Sequence, residues 1–267
     1  MKVLSLSAAL CVIVLVGCNS NKTDSTASES LEASVETKAV DKTEALKGAW
    51  TTAYTDDSGK KVTATAILAG RYMAETFYNV EEKRFDMTMG GSWSTEGNTF
   101  TLTYEFHSRD SAKVGTTQSA VYNLNGDKIK FEAEKSTWKR VDDGTPGALN
   151  NAYLITGRKR DGKISKRTPG ERKTMKILSG TRFQWIAFHT GTGKFSGTGG
   201  GTYTAENGDY VENIEFFSKD GSRVGASLPF KYELVEEEWH HSGLSSKGSP
   251  IYEIWTPRSI LDEDASK

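Results

Sequence analysis

Apolar and polar residues alternate along most of the chain after residue 48, with the period of two that is typical of β-strands. Between residues 99 and 106, threonines and a glutamate alternate with Phe100, Leu102, Tyr104 and Phe106. Later, Phe183, Trp185 and Ala187 alternate with Arg182 and Gln184. This pattern predicts many short strands, each with one buried and one solvated face, and no helix.

One stretch of the chain is repeated without a gap at a spacing of 110 residues. Gly90-Gly91 recurs as Gly200-Gly201, and Glu105-Phe106 recurs as Glu215-Phe216. We call residues 110 apart counterparts. So long a shared register predicts two copies of one domain, each with eight or nine strands. Because a sheet with one apolar face must close on itself or pack on another sheet, we expect each copy to form an antiparallel barrel.

The first residues predict export. Lys2 precedes an apolar run that is too short to span a membrane but has the length of a secretory signal. The run ends in Leu15-Val16-Gly17-Cys18, which resembles the bacterial lipobox, whose cysteine becomes the lipidated first residue of the mature protein. We therefore expect residues 1–17 to be a signal peptide and Cys18 to carry a lipid that anchors the protein to a bacterial membrane, the outer membrane by preference. An ordinary signal peptide with an incidental cysteine is the alternative.

The composition divides the rest of the chain. Residues 18–45 are polar and contain no aromatic residue, so they cannot bury enough apolar surface to fold, and we interpret them as a disordered tether. The two barrels then occupy residues 46–143 and 149–258, and a tail follows at 259–267. The chain has two cysteines, one of them inside the signal, which leaves no pair for a disulfide. A formal net charge of −1 gives no reason to expect a nucleic-acid partner.

The ends of the copies carry a family resemblance. Gly48-Ala49-Trp50 opens the first copy and Arg140 closes it, which resembles the lipocalin and calycin barrels. In that family the tryptophan plugs the closed end and the arginine stacks over it, so the resemblance assigns barrel closure to Trp50 and Arg140. Tyr153 and Arg258 take the corresponding places in the second copy.

Residues 46–258 as a whole resemble the lipocalin-like domains of unknown function found in bacterial lipoproteins, most closely at 210–216 and 238–243. The resemblance implies an all-β protein with two tandem antiparallel lipocalin-like β-barrels after a signal peptide and a disordered tether. That family carries no assigned chemistry to transfer.

Polar side chains interrupt the predicted inner face of the second copy. His189, Glu212 and His241 stand where the first copy has Asn79, Leu102 and Phe131. Because burying an unpaired polar group costs a few kcal/mol, we hypothesise that these three line a ligand pocket with their neighbours Phe183, Trp185, Tyr210 and Trp239. Pairing among themselves or exposure at the barrel mouth is the alternative, and two imidazoles with a carboxylate are also a metal-ligand set.

Two further features are candidates for binding. In the first copy, Glu75 and Gln118 interrupt the apolar face, although Glu75 could equally lie on a solvated face because the residues around it alternate ambiguously. In the second copy, the stretch from Arg158 to Lys176 is strongly basic, and it contains the seven residues by which this copy is longer. It could contact anionic lipid headgroups, or it could be a solvated hairpin.

We therefore expect a lipid-anchored envelope protein that binds a small, mostly apolar ligand, with the pocket in the second copy. No P-loop, nucleophile elbow or zinc spacing is visible, so we predict no catalytic residue, metal or cofactor. The main alternative is a non-catalytic structural or protein-interaction module with solid barrels. An enzyme on a calycin scaffold, or a haem-binding barrel that uses His189 or His241, is a third reading. A cavity of about 300 Å³ or more favours ligand binding, whereas packed interiors favour the interaction module.

Overall fold

The computed structural model describes residues 42–245 and 248–265. It contains two closed, eight-stranded antiparallel barrels in tandem, so the predicted all-β class and the duplication are confirmed. The predicted signal peptide, Cys18 and nearly all of the predicted tether lie outside the described residues.

Barrel 1 follows a short helix, α1 (Thr43–Leu46), which begins inside the predicted tether. Its strands form a simple meander in which β1 and β8 pair to close the barrel. They are β1 (Gly48–Thr55), β2 (Lys61–Ala69), β3 (Tyr72–Asn79), β4 (Arg84–Glu96), β5 (Thr99–His107), β6 (Thr117–Asn125), β7 (Lys128–Phe131) and β8 (Trp138–Asp142).

Barrel 2 repeats this meander and closes by pairing β9 with β17. Its strands are β9 (Asn151–Arg160), β10 (Lys163–Lys166), β11 (Arg172–Leu178), β12 (Arg182–His189), β13 (Phe195–Glu206), β14 (Asp209–Phe217), β15 (Ser227–Val235), β16 (Glu238–Leu244) and β17 (Pro250–Pro257). Helix α2 (Arg258–Ala265) follows, where the sequence pattern predicted only a tail.

The basic stretch of the second copy is an interrupted strand. β10 and β11 pair with successive parts of β9, along the edge that β17 leaves free. Residues 167–171 separate β10 from β11, and together the two segments occupy the place that β2 occupies alone in barrel 1. The extra residues of the second copy therefore enlarge one strand without changing the barrel.

The repeated Glu-Phe pairs mark a β-bulge in each barrel. Gly90 and Gly91 pair with Phe106 and Tyr104, so Glu105 is an extra residue in β5. Glu215 is the extra residue in β14 in the same way. A bulge reverses the alternation of side chains beyond it. Phe106 therefore points away from the barrel interior, and the prediction that it shares a face with Leu102 is wrong.

The two barrels contact each other through an apolar cluster that both contribute to. Barrel 1 supplies residues of β2, β3 and β5, and barrel 2 supplies residues of β9, β11 and β12, namely Ile67, Ala69, Tyr72, Ala74 and Phe106 with Ala152, Leu154, Met175, Ile177, Ile186 and Phe188. All eleven are buried. β3 and β12 are therefore buried on both faces, whereas the alternating pattern predicted one wet face.

Counterparts meet across this contact in the manner of a two-fold symmetric dimer. Phe85 stacks on its own counterpart Phe195, with ring centroids 6.3 Å apart and planes 5° from parallel. Phe106 packs on Phe188 at 5.0 Å. The counterpart pair of those two, Phe216 and Tyr78, packs at 4.9 Å. The chain is thus folded like a covalently joined isologous dimer.

The symmetry extends to the rim of the contact. Gly193 approaches Ser111 so closely that a Cβ atom on the glycine would lie 2.7 Å from the serine carbonyl oxygen. Gly221 approaches Lys83 in the same way, at 2.6 Å. These two contacts are counterparts of each other, and each needs glycine because a side chain would have no room.

Polar groups inside the contact form hydrogen bonds across it. The Gln184 side-chain amide donates to Thr88 Oγ1 and to Thr198 Oγ1, and its oxygen accepts from Thr76 Oγ1. The side chain is 1% exposed. The alternating pattern assigned Gln184 to the solvent, but the other barrel covers it and supplies two of its partners.

We expect Phe188→Ala to lower the free energy of unfolding by about 3–5 kcal/mol, because it removes a buried ring from the contact. Since both barrels share this cluster, wild type and variant should each unfold in one transition. Urea unfolding followed by tryptophan fluorescence and circular dichroism measures both quantities. Leu234→Ala, at a side chain that is 51% exposed, is the control and should change stability by less than about 0.5 kcal/mol. Two separate transitions in the wild type would contradict the coupling.

Candidate functional site

Barrel 1 contains a cavity of about 120 Å³ with a mostly apolar wall. Residues of α1, of all eight strands and of the segment between β7 and β8 line the cavity. They are Leu46, Trp50, Ala66, Leu68, Met73, Glu75, Met89, Phe100, Leu102, Tyr104, Gln118, Ala120, Ile129, Phe131, Glu134 and Trp138. Gln118 and Glu134 are exposed and mark its opening. The volume is below the roughly 300 Å³ of a drug-sized pocket but approaches the roughly 150 Å³ that holds benzene.

Larger side chains stand at the same places in barrel 2. The counterparts of Ala66 and Ala120 are Lys176 and Phe230, and the counterpart of Ile129 is Trp239. All three are buried, with at most 8% of their surface exposed. Side-chain atoms thus occupy in barrel 2 the volume that barrel 1 leaves open. The enclosed apolar cavity therefore lies in the first copy, whereas the sequence comparison favoured the second.

Glu75 places a carboxyl group inside the cavity of barrel 1. It lies on β3 between Ala66 of β2 and Met89 of β4, which both line the cavity. The side chain is half-buried in the cavity wall. Burial, and to a smaller extent the nearby charge of Glu134, together raise the pKa of Glu75 to about 8. At neutral pH the empty cavity therefore holds mainly the neutral acid.

The other polar groups of the cavity have partners. The Tyr104 hydroxyl donates to Gln118 Oε1 at 2.9 Å. The Trp138 indole N–H donates to Glu134 Oε2, also at 2.9 Å. No described residue forms a hydrogen bond with the Glu75 carboxyl group. Of the two polar residues that interrupt the first copy's apolar face, Glu75 is thus the one whose side chain forms no hydrogen bond with a described residue.

Trp50 closes barrel 1 beneath Arg140, in the arrangement that the lipocalin resemblance implies. The guanidinium carbon of Arg140 lies 4.0 Å from the centroid of the Trp50 ring. Arg140 also donates to the carbonyl oxygens of Ala45 and Lys47 and to Asp127. The Trp50 indole N–H donates to the Leu46 carbonyl. Helix α1 is therefore fastened to the end of the barrel next to the cavity.

The second copy differs at its ends. Tyr153 is buried against Trp239, with ring centroids 5.4 Å apart. Arg258 does not stack on Tyr153. It lies over Tyr72 of barrel 1, at 3.4 Å, and forms a bidentate ion pair with Glu105 at 2.5 and 2.8 Å. Arg258 therefore lies in the contact between barrels, bound to the bulged glutamate of barrel 1, and its expected role in barrel closure stays a prediction.

Glu212 and Tyr210 meet inside barrel 2 around a lysine. Lys176 Nζ donates to Glu212 Oε1 at 2.8 Å, and the Tyr210 hydroxyl donates to the same oxygen at 3.0 Å. The ammonium group also lies 4.8–6.0 Å from the ring centroids of Tyr210, Phe230, Trp239 and Trp255. Glu212 thus has partners within the protein, but they are Lys176 and Tyr210 rather than the two histidines with which sequence analysis could have paired it.

His241 lies in the same interior and is 2% exposed. Neither ring nitrogen has a hydrogen-bond partner among the described residues, and the nearest carboxylate oxygen, on Glu253, is 3.6 Å from Nδ1. Burial lowers the pKa of His241, and the charge of Lys176 lowers it further. A neutral imidazole beside a buried ammonium group is the electrostatically favoured state.

The remaining predicted pocket residues are divided between the interior and the rim. Phe183 is fully buried in the barrel 2 core, as is Trp239. Trp185 is half-buried against Phe217. His189 lies at the end of β12, where Nδ1 accepts from the Thr192 amide and Nε2 is 3.9 Å from Glu171. The structure therefore brings Glu212 and His241 together and leaves His189 outside their cluster.

The basic stretch lines a polar cleft of about 370 Å³ on barrel 2. Four exposed arginines face it, together with smaller residues of β9 to β11, namely Arg158, Arg160, Arg167 and Arg172 with Ile155, Gly157, Ser165 and Thr174. Arg158 lies 3.6 Å from Glu253. The stretch thus includes β10 and part of β9, which pair with each other and line one side of this cleft.

A scan against models of known protein families and a search of curated proteins found no match to this chain. The two closed barrels are consistent with a tandem lipocalin-like fold. Within residues 42–245 and 248–265, no group of three or more His, Cys, Asp or Glu side chains is placed to hold a metal ion. Neither of the described α-helices is long and apolar enough to cross a bilayer.

Sequence reasoning missed the central role of Lys176. We grouped it with the basic stretch, although its position in the 110-residue register was informative. Its counterpart Ala66 lies on an apolar strand face between Ala64 and Leu68. A lysine on the inner face of a strand requires a buried carboxylate nearby, and Glu212 had already been identified as a polar interruption.

We expect Lys176→Met to lower the free energy of unfolding by about 3–5 kcal/mol, because it leaves the Glu212 carboxylate buried without its cation. The double variant Lys176→Met with Glu212→Leu should lose less than the single variant. Barrel 1 already holds the apolar residues Ala66 and Leu102 at these positions. Urea unfolding of wild type, both single variants and the double variant gives the coupling energy. Additive losses would show that the two side chains do not depend on each other.

Proposed function

We propose that the protein is a lipid-anchored envelope protein whose barrel 1 binds a small, mostly apolar ligand. The supporting observation is the cavity that barrel 1 keeps where barrel 2 is filled. An open cavity in one of two barrels of the same fold costs packing energy. A ligand that occupies the cavity would recover that energy.

The size and wall of the cavity define the ligand. A volume of about 120 Å³ accommodates a molecule near the size of benzene, or one end of a larger molecule that leaves through the opening beside Gln118. Trp50, Phe100 and Phe131 give the wall aromatic surfaces. Specificity for a polar substituent would come from Glu75 and from the Tyr104–Gln118 pair.

A solid interaction module remains the second candidate, and barrel 2 is the part of the protein that supports it. Its interior is occupied by Lys176, Glu212 and the aromatic side chains around them. In the proposed function this barrel is a rigid partner that supports barrel 1 through their shared contact.

We expect Ala120→Phe to weaken the binding of toluene and benzyl alcohol at least tenfold, because the new ring fills the cavity. Barrel 2 accommodates phenylalanine at the counterpart, Phe230. Calorimetry and ligand-observed NMR on the mature chain with Cys18→Ser, which needs no detergent, measure the affinity.

Val121→Phe is the matched control, because this neighbouring side chain is 42% exposed. It should bind both probes as well as the parent chain. Ala66→Met fills the cavity from another strand, and it replaces Ala120→Phe if that variant does not fold. Unchanged affinity in a folded, cavity-filled variant would refute the pocket.

The membrane anchor is tested separately. The segment between Cys18 and helix α1 would give the barrels a reach of roughly 30 Å as a flexible chain. In cells, we expect Cys18→Ser to move the protein from the membrane fraction to the soluble exported fraction, and to remove the mass of the lipid from the mature N-terminus. Mass spectrometry of the mature protein measures this. A wild-type protein whose mature N-terminus carries no lipid would contradict the anchor.

A further inference from the structure

The cavity of barrel 1 has an unmet requirement for a hydrogen-bond donor. Of its two carboxyl groups, Glu134 accepts a hydrogen bond from Trp138, and Glu75 accepts none from any described residue. The Glu75 side chain is half-buried at the cavity wall, where a hydrogen-bond donor stabilises a carboxyl group. A ligand that donates to Glu75 would supply that donor.

The charges around the cavity favour a cation. Its described lining residues include two glutamates and no lysine, arginine or histidine. The guanidinium group of Arg140, which stacks on the wall residue Trp50, is engaged by Asp127 and two backbone carbonyls. The aromatic rings in the wall also attract a cation more strongly than a neutral group or an anion.

Barrel 2 contains an internal example of such an occupant. Lys176 extends an alkyl chain that ends in an ammonium group from the position equivalent to Ala66, the cross-strand neighbour of Glu75. A carboxylate and four aromatic rings surround that ammonium group. In barrel 1, Ala66 and Ala120 leave open the space that Lys176 and Phe230 fill in barrel 2, and the wall is partly aromatic. The carboxyl group of Glu75 comes from the strand beside Ala66 rather than from the place of Glu212.

We infer that the cavity of barrel 1 binds a small primary amine with an apolar body, an alkyl- or arylammonium ion, whose nitrogen donates to Glu75. The inference rests on the proposed function and specifies its ligand class. The apolar body takes the place that the lysine chain takes in barrel 2, and the Glu75 carboxylate takes the part of Glu212.

The binding of an amine should depend on pH through Glu75. The empty cavity holds the neutral acid below about pH 8, so an ammonium ion binds with release of one proton. Affinity should fall about tenfold for each pH unit below that value. The other titratable groups that influence Glu75 or respond to it are Glu134, Tyr104 and Tyr54. Burial raises the pKa of both tyrosines further from this range, so they stay neutral.

The test compares benzylamine, benzyl alcohol and benzoate on the mature chain with Cys18→Ser at pH 6, 7 and 8. Calorimetry in two buffers with different heats of ionisation measures affinity and proton release together. We expect benzylamine to bind at least tenfold more tightly than benzyl alcohol at pH 8, and benzoate not to bind. Glu75→Gln should weaken benzylamine at least tenfold and abolish proton release, while it changes benzyl alcohol less than threefold. Glu81→Gln, at an exposed residue outside the cavity, should change neither.

The outcomes separate the two proposals. If benzyl alcohol binds as tightly as benzylamine and Glu75→Gln changes neither, the amine inference is overturned while the ligand-binding function stands. If none of the three probes binds and toluene also fails, both are overturned. If benzylamine binds without proton release and Ala120→Phe leaves its affinity unchanged, the amine lies outside the cavity and the inference is overturned.

Discussion

The contact between the two barrels is the constraint on which the rest of the structure depends. Barrel 1 has an apolar outer face on β2, β3 and β5, and barrel 2 has one on β9, β11 and β12. Each of these faces is covered by the other barrel. Because the contact is isologous, one set of residue types serves both sides. Phe85 stacks on Phe195, and each bulged glutamate binds an arginine at this contact, Glu105 to Arg258 and Glu215 to Arg182.

This arrangement explains which positions the copies share. The repeated Gly-Gly and Glu-Phe pairs form the bulges that turn Phe106 and Phe216 toward the other barrel. The interior residues contact only their own barrel, so they are free to differ between the copies. In barrel 2 they form a buried ion pair, which is costly unless its remaining hydrogen-bonding and electrostatic requirements are met. The Tyr210 hydroxyl group and the four aromatic rings around Lys176, of which the Tyr210 ring is one, meet these requirements. In barrel 1 the same positions are small or aliphatic and leave a cavity.

The candidate site could be predicted only in part. Period-two alternation identified Glu75 and Glu212 as polar residues on inner faces, and both lie inside barrels. Their roles could not be predicted, because the free-energy cost of burying a polar side chain depends on the residues that face it across the barrel. Lys176 comes from β11 and Glu212 from β14, 36 residues apart, and no local pattern shows that they meet. His189 follows the same face as Trp185 but lies at its end, where the barrel opens.

The sequence by itself determined the strands, the duplication and the closure of each copy, because these depend on local alternation and on a repeat that any register comparison reveals. It did not determine which outer faces of the barrels are buried. Gln184 looks like a solvent-facing residue until barrel 1 covers it, and Arg258, expected at the end of its own barrel, binds Glu105 of barrel 1. Nor did it determine which interior is open, since that depends on the summed volumes of side chains from eight strands. Only the tertiary structure brings those volumes together, and it places the cavity around Glu75 in the first barrel.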